Sequence, residues 1–453
     1  MSPTQERRKT NARPQEQRTE DRLQERQTTE AQAQARQTTE VRVQEQRRTK
    51  AREQNQRTTE ARVIAPGSTI GVLGGGQLGR MLALAGRAMG YRFVTLDPTE
   101  DSPCGQVADR QITASYDDHA AAAQLAELAD VITYEFENVD AKTADMLAEI
   151  AYVPQGGRLL YTTQHRLREK RALEAAGVPV APYREIAGPD DLRSALEALG
   201  VPCVLKTATG GYDGKGQRVI RTREEAEDAY AALRATGREL VLEQFVRFDK
   251  EISVIAARSP RGEVVAFPPA ENIHVDNILH LSIAPARIPP EVAARAESLA
   301  RQIAEALDVV GLIAVEMFLA ADGRLYVNEL APRPHNSGHY TMEACRTSQF
   351  EQHIRAVCNL PLGPVELMSP VVMVNLLGQH VEPALALLTS PKAAADAGRR
   401  GIAVKLHLYG KKEAKIGRKM GHLNVLAPTV EAALEWIRDA GVWEKEQRAC
   451  GLA

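Results

Sequence analysis

The sequence predicts a mixed α/β and α+β fold, built of several domains behind a long polar tail. Three observations carry that expectation. Ser68 to Leu73 is a buried-strand pattern that runs directly into a glycine loop and a helix, the opening of a parallel α/β unit. Further along, short apolar runs are joined by glycine-rich turns, as in hairpins with helices between them. Aromatic residues make up only 4% of the chain, which suits an Ala/Val/Leu-rich α/β core better than an all-β one.

At 453 residues the chain has length for several cores, and 43% hydrophobic with 26% charged residues is ordinary for a soluble protein. A net charge of -2 argues against a nucleic-acid surface. The five cysteines are scattered and odd in number, and no CxxC pair occurs. That excludes a zinc knuckle and a disulfide framework and points to a reducing compartment. No apolar run approaches a membrane span, and the amino terminus lacks a signal-peptide core. A cytoplasmic protein is expected.

Residues 1–62 stand apart in composition. Thr-Glu recurs at 19–20, 29–30, 39–40 and 59–60, with Thr49-Lys50 filling the gap, so the period is ten. The segment holds 15 Lys and Arg against 10 Asp and Glu, a net charge of +5 that leaves -7 on the remainder. A period of ten matches neither 3.5 nor 3.6 residues, so no apolar seam forms. The expectation is a disordered polar repeat tail with little to bury. An anion-binding tail, or translation starting near Val63, are the alternatives.

After the first strand come Gly74-Gly75-Gly76-Gln77-Leu78-Gly79, a helix ending at Gly90, and a second strand ending at Asp97. This is formally G-x-G-x-x-G with an acid about 20 residues on, the dinucleotide fingerprint. An NAD-dependent oxidoreductase is therefore a live alternative. Gln77 inside the loop is unusual for that role and suits a hydrogen bond to a small ligand. The next strand ends in Tyr134-Glu135-Phe136-Glu137-Asn138, polar residues at the carboxyl end of a parallel strand, where ligand crevices form.

In the centre, a helix carries Arg166 and Lys170 one turn apart. A strand then ends at Lys206, followed by Gly210, Gly211, Tyr212, Asp213, Gly214, Lys215, Gly216 and Gln217 and another strand. The pattern suits a flap over a nucleotide triphosphate. It is not a Walker loop, because GK[ST] is absent and no helix follows. Glu243 to Glu251 reads as a linker between strands that suits an adenine, and His274 follows near Glu271 and Asn272.

Val315 to His339 is the stretch richest in chemistry. VEMFL, a turn at Ala321-Asp322-Gly323 and LYVNEL read as a β-hairpin with one acid on each strand, Glu316 and Glu329, and Asn328 beside the second. Facing carboxylates repel unless a cation lies between them, and oxygen ligands on rigid strands suit Mg2+. Arg333, His335, Asn336, Ser337 and His339 follow and supply donors for a phosphate or an anionic intermediate. The plain alternative is a solvent-facing hairpin with two stray acids. Near the carboxyl end, Lys411, Lys412, Lys415, Arg418 and Lys419 form a basic turn with close glycines, and VEAALEWIRDAGV is an amphipathic helix.

A lysine strand, a glycine flap, an acidic hinge and a two-carboxylate hairpin, in that order, resemble the ATP-grasp superfamily. More narrowly, GGGQLGRM, YEFENV, LKTATGGYDGKGQ, ENIH, NELAPRPHNSGH and KIGRKMGHLN resemble the N5-carboxyaminoimidazole ribonucleotide synthetase family, over about residues 63–450. Only the tail departs clearly from that pattern. No mutase-like segment follows Ala453, as in the free-standing bacterial type. Behind the tail that composition sets apart at 1–62, the resemblance implies a Rossmann-like pre-ATP-grasp domain at 63–168, an ATP-grasp domain at 169–370 with its flap at 173–243, and a small C-terminal domain at 371–453.

It also implies ATP- and Mg2+-dependent carboxylation of 5-aminoimidazole ribonucleotide by bicarbonate through carboxyphosphate, in a cytoplasmic homodimer. Glu316 and Glu329 would hold Mg2+, with Asn328 assisting. Arg166, Lys206 and the flap from Gly211 to Gln217 would hold the ATP phosphates. Glu243, Gln244, Phe245, Val246, Glu251 and His274 would line the nucleoside. Gly76, Gln77, Leu78, Glu135 and Asn138 would hold the ribonucleotide, with Lys411, Arg418 and Lys419 on its phosphate. Arg333, His335 and Asn336, with Tyr212, Asp213 and Lys215, would surround the carboxyphosphate. A formate-using purine transformylase is the nearest alternative, and a scaffold serving the repeat tail the most distant.

Overall fold

The computed structural model describes residues 62–137, 141–211 and 214–451, so the expectations placed on the repeat tail, Asn138, Tyr212 and Asp213 lie outside the described residues. Four parallel strands form the first sheet, β1 (Thr69–Leu73), β2 (Arg92–Asp97), β3 (Arg110–Thr113) and β4 (Val131–Tyr134), in the order β3-β2-β1-β4. β1, β2 and β4 are almost wholly buried, as parallel strands covered by crossover helices must be. The helix Gln77–Ala88 follows the glycine loop directly and turns Met81 and Leu82 into the core.

A second sheet is antiparallel and holds β5 (Tyr183–Ile186), β6 (Cys203–Thr207), β7 (Gln217–Ile220) and β8 (Leu240–Gln244), ordered β5-β8-β6-β7. The helices Pro189–Leu199 and Glu225–Arg234 pack on it through Leu192, Leu196, Ala229 and Leu233.

The remaining strands make one nine-stranded sheet: β9 (Phe248–Arg258), β10 (Val264–Ala266), β11 (Ala270–Val275), β12 (Ile278–Ala284), β13 (Gly311–Ala320), β14 (Leu325–Ala331), β15 (Val371–Leu377), β16 (Ala403–Leu408) and β17 (Lys419–Leu426). Its order is β14-β13-β9-β11-β12-β15-β17-β16, with β10 beside β9. The three carboxyl-terminal strands thus extend the central sheet, while a core of their own forms around Trp436 and Trp443. The long helix Pro290–Ala306 covers one face through Ala296, Ala300 and Ile303. Phe350, Ile354 and Val357 of the helix Gln349–Val357 share a core with Met81, Leu82 and Phe93, which fixes the first sheet against the central one.

Candidate active site

Glu316 on β13 pairs with Glu329 on β14, as the hairpin pattern predicts. The register slips at that point: Met317 pairs with Val327, so Asn328 is the extra residue of a β-bulge. The bulge turns Asn328 and Glu329 to the same face, and with Glu316 both line a cleft of about 740 Å3. Burial and then Glu329 push the Glu316 carboxyl up to about 8. His335 Nε2 lies 3.1 Å from Glu316, and Arg166 Nη1 lies 3.3 Å from Glu329. Among the described residues no three His, Cys, Asp or Glu side chains converge as a closed metal cage. Two carboxylates, a bulged amide and open space beside them instead fit Mg2+, which completes its shell from water and phosphate oxygens.

The flap sheet faces this hairpin across the cleft. Lys206 near the end of β6 donates to Glu243 at 3.0 Å, and Lys170 from the helix Arg166–Ala175 lies 3.3 Å from the same carboxylate. Gly211, Gly214, Lys215 and Gln217 line the cleft, and Gly216 lies between the last two. Gly214 and Gly216 have φ of 76° and 74°. At Gly214 a Cβ would come within 2.4 Å of the Asn277 side chain, so the flap's close approach to the turn between β11 and β12, with the positive φ, favours glycine there. Gln244, Phe245 and Val246 form the hinge between β8 and β9 and line the cleft, as do Glu251 and His274, 2.9 Å apart. Phe248 and Phe318 stack at 4.6 Å in its wall, an apolar platform for a planar ring.

Arg333, His335 and Asn336 meet at the other end of the cleft. Ser337 N donates to His335 Nδ1 at 3.3 Å, and the Ser337 hydroxyl sits 2.8 Å from the same nitrogen. A backbone N–H can only donate, so the ring proton lies on Nε2, toward Glu316. Burial, then Arg333 and Lys419, hold this imidazole well below its ordinary range, so it is a neutral donor. Both amide atoms of Asn336 are buried with no partner among the described residues, leaving their hydrogen-bonding capacity for a ligand. The Arg333 guanidinium makes a two-pronged pair with Glu137, with Nη2 3.0 Å from Oε1.

The glycine loop does not offer a phosphate seat. The N–H groups of Gly76 and Gly79 both donate to the Glu135 carboxylate, and Gly75 N donates to Asp97 at 2.7 Å. Asp97 also accepts from Tyr116 Oη at 2.5 Å and Thr99 N at 2.8 Å. Loop amides and fingerprint acid are thus spent inside the protein, which removes the basis of the dinucleotide alternative. Burial lifts the Glu135 carboxyl to about 7, against the pull of the two amides.

Leu78 packs into the core at 7% exposure, so its side chain is not a crevice group as expected. Gly76, Gln77, Glu135, Lys411 and Arg418 lie off the cleft wall, and among the described residues of the expected ribonucleotide set only Lys419 lines it. The others gather at the adjoining seam between the first sheet and the loop before β17. Lys411 Nζ donates to Lys419 O at 2.8 Å, and Gln106 Nε2 to Gly410 O at 2.9 Å. Burial, then Arg418, bring Lys411 down to about 8, with Glu135 opposing. Arg418 itself is tied to Glu413 O at 3.1 Å.

Glu169 and the Phe248–Phe318 pair escape the sequence reading, while Glu137 and Lys170 stand there without a partner or a role. Glu169 is buried, accepts from Leu330 N at 3.2 Å and is pushed up to about 8, first by burial and then by Glu329. The available signal was the density of charge on one short helix, RLREKRALEA, beside a glycine exit.

Three family models match the chain: a ribonucleotide synthetase preATP-grasp domain over residues 68–164, an ATP-grasp domain over 171–350, and a phosphoribosylaminoimidazole carboxylase C-terminal domain over 371–435. The N5-carboxyaminoimidazole ribonucleotide synthase of Bacillus subtilis is 50% identical over 378 residues, spanning 83% of this chain and 96% of that protein. That of Brucella melitensis is 47% identical over 367 residues, 81% of this chain and 98% of its own. A solved ADP complex of an N5-carboxyaminoimidazole ribonucleotide synthetase superposes with a TM-score of 0.80 at 54% identity, covering 85% of this chain and 100% of that one. The Aspergillus clavatus enzyme in complex with ADP and 5-aminoimidazole ribonucleotide gives a TM-score of 0.76 at 34% identity, covering 83% and 99%.

Proposed function

Since this chain belongs to the N5-carboxyaminoimidazole ribonucleotide synthase family and is an ATP-dependent ligase, we propose that it joins bicarbonate to the exocyclic amine of 5-aminoimidazole ribonucleotide through carboxyphosphate. One observation carries the reading: paired Glu316 and Glu329 lie under the Arg166 and Lys206 cations, with the Arg333, His335 and Asn336 donors at the same cleft.

A bicarbonate oxygen attacks the γ-phosphorus and ADP leaves. The amine nitrogen then attacks the carboxyl carbon, phosphate leaves, and the nitrogen gives up a proton. Lys206 and Arg166 stabilise the phosphates, and the flap glycines let the backbone close over them. Glu316 and Glu329 would hold Mg2+, which would supply neutralising charge beside the phosphates. His335, a neutral donor, and Asn336 hydrogen-bond the bicarbonate-derived oxygens, and Arg333 adds positive charge. A closed flap excludes water from a short-lived acyl phosphate. The ribonucleotide lies at the seam of Gln77, Glu135, Lys411, Arg418 and Lys419, its amine reaching toward Arg333.

The test is ADP release from Mg-ATP, with aminoimidazole ribonucleotide plus bicarbonate in one arm and glycinamide ribonucleotide plus formate in the other. ADP release that needs the first pair supports the proposal. Release that needs the second pair makes the chain a transformylase instead.

A further inference from the structure

Glu243 sits near the end of β8 at 4% exposure, and two ammonium groups share its Oε2, Lys206 Nζ at 3.0 Å and Lys170 Nζ at 3.3 Å. The two lysines differ in where they can go. Lys206 lines the cleft, whereas Lys170 is 2% exposed and stands behind the cleft wall. Among the described residues Lys170 Nζ finds no well-formed hydrogen bond, and Glu243 Oε1 is likewise buried without one. A buried ammonium so poorly compensated is a weak packing element, so its place is better explained by its charge. The Tyr183 ring, 5.7 Å from Nζ, gives it a second electrostatic neighbour and a wall to rest on.

We propose that Lys170 is a positioning residue for the nucleotide: it keeps the Glu243 carboxylate in place and neutralised while Lys206 exchanges that carboxylate for a phosphate oxygen. The inference rests on the nucleotide reading of the cleft. A triphosphate brings several negative charges toward a cleft whose wall already holds Glu243. Once Lys206 turns to a phosphate, Glu243 loses its nearest cation. A buried carboxylate without a partner either takes up a proton or pulls the lysine back, and both weaken the nucleotide's hold. Lys170, one helical turn from Arg166 and set behind the cleft wall, removes that conflict. Burial alone pushes the Glu243 carboxyl up, but Lys206, Lys170 and Arg166 reverse this and hold it at about 2.

The experiment is a double-mutant cycle read by calorimetric ADP binding in the presence of Mg2+, on wild type, Lys170→Met, Glu243→Gln and the double variant. Lys170→Met is expected to weaken ADP roughly tenfold or more, and to raise the KM for ATP while leaving that for aminoimidazole ribonucleotide in place. On the Glu243→Gln background, where no carboxylate needs a partner, the same change should cost nothing further. Lys170→Arg should restore most of the affinity. Unchanged ADP affinity in Lys170→Met, or an equal loss on both backgrounds, overturns the inference. If Lys170→Met does not fold, Glu243→Gln and the double variant decide, since neither strands a buried carboxylate: equal affinities support it and a further loss overturns it. Wild type that does not bind ADP at all sinks the nucleotide reading itself.

Discussion

Glu329 and Glu169 are 160 positions apart in sequence terms but meet at the same hairpin, and they make opposite demands on charge. Glu329 faces the cleft with its side chain 43% exposed, so its ionised form is solvated and available to a cation. Glu329→Gln is expected to fold normally, with little change in Tm, and to lose on the order of 10²–10³ in kcat for ADP release. Near-normal turnover would move the metal elsewhere. Glu169 borders the same cleft but is only 3% exposed, and it carries a carboxyl raised from its ordinary 4.5 to about 8. The native state therefore holds a proton that the unfolded chain has released over that window. Stability should fall as pH rises from about 5 to 8.5, by on the order of a few kcal/mol, and Glu169→Gln should remove this slope. Parallel Tm-against-pH curves for the two proteins would refute it. The cleft-facing residues were legible because each sits at a strand end or a glycine flap. Glu169 was not, because a short charged helix reads as solvated until Leu330 is seen to close over it, and Lys170 was noted beside Arg166 without its partner Glu243.

At the scale of elements, the hairpin was legible from its turn and alternation, yet its bulge was passed over. The trace was present: Val327-Asn328-Glu329-Leu330 puts two polar residues between two apolar ones, which strict alternation forbids and a bulge permits. Deleting Asn328 would restore a regular ladder, with Glu329 still opposite Glu316 and Leu330 still in the core. Such a variant should fold, because no apolar residue changes face. It should nonetheless lose more activity than Asn328→Ala, which keeps the bulge and removes only the amide. About tenfold between the two would fit an element whose local twist aims a ligand to within an ångström. Equal activities would mean that the amide matters and the bulge does not.

For the whole molecule, sequence pattern misled at the glycine loop. The fingerprint was formally complete, but Glu135, which takes the loop amides, comes from a strand 59 positions downstream of Gly76, and no local pattern carries that. The repeat tail lacks apolar periodicity, so little in it could be buried against a partner face. Ile64 is the first buried residue among those described: it is 1% exposed, donates from its N–H to Cys358 O at 2.9 Å and accepts from Tyr91 Oη at 2.7 Å. Removing residues 2–61 should therefore leave Tm and kcat unchanged within experimental scatter. Removing residues 2–66 takes away a buried isoleucine and two hydrogen bonds and should cost about 2–4 kcal/mol, seen as a clear drop in Tm. If the shorter deletion alone lowers kcat at unchanged Tm, the tail reaches the active site or a subunit contact. If both deletions are silent, Ile64 is not the anchor that its contacts describe.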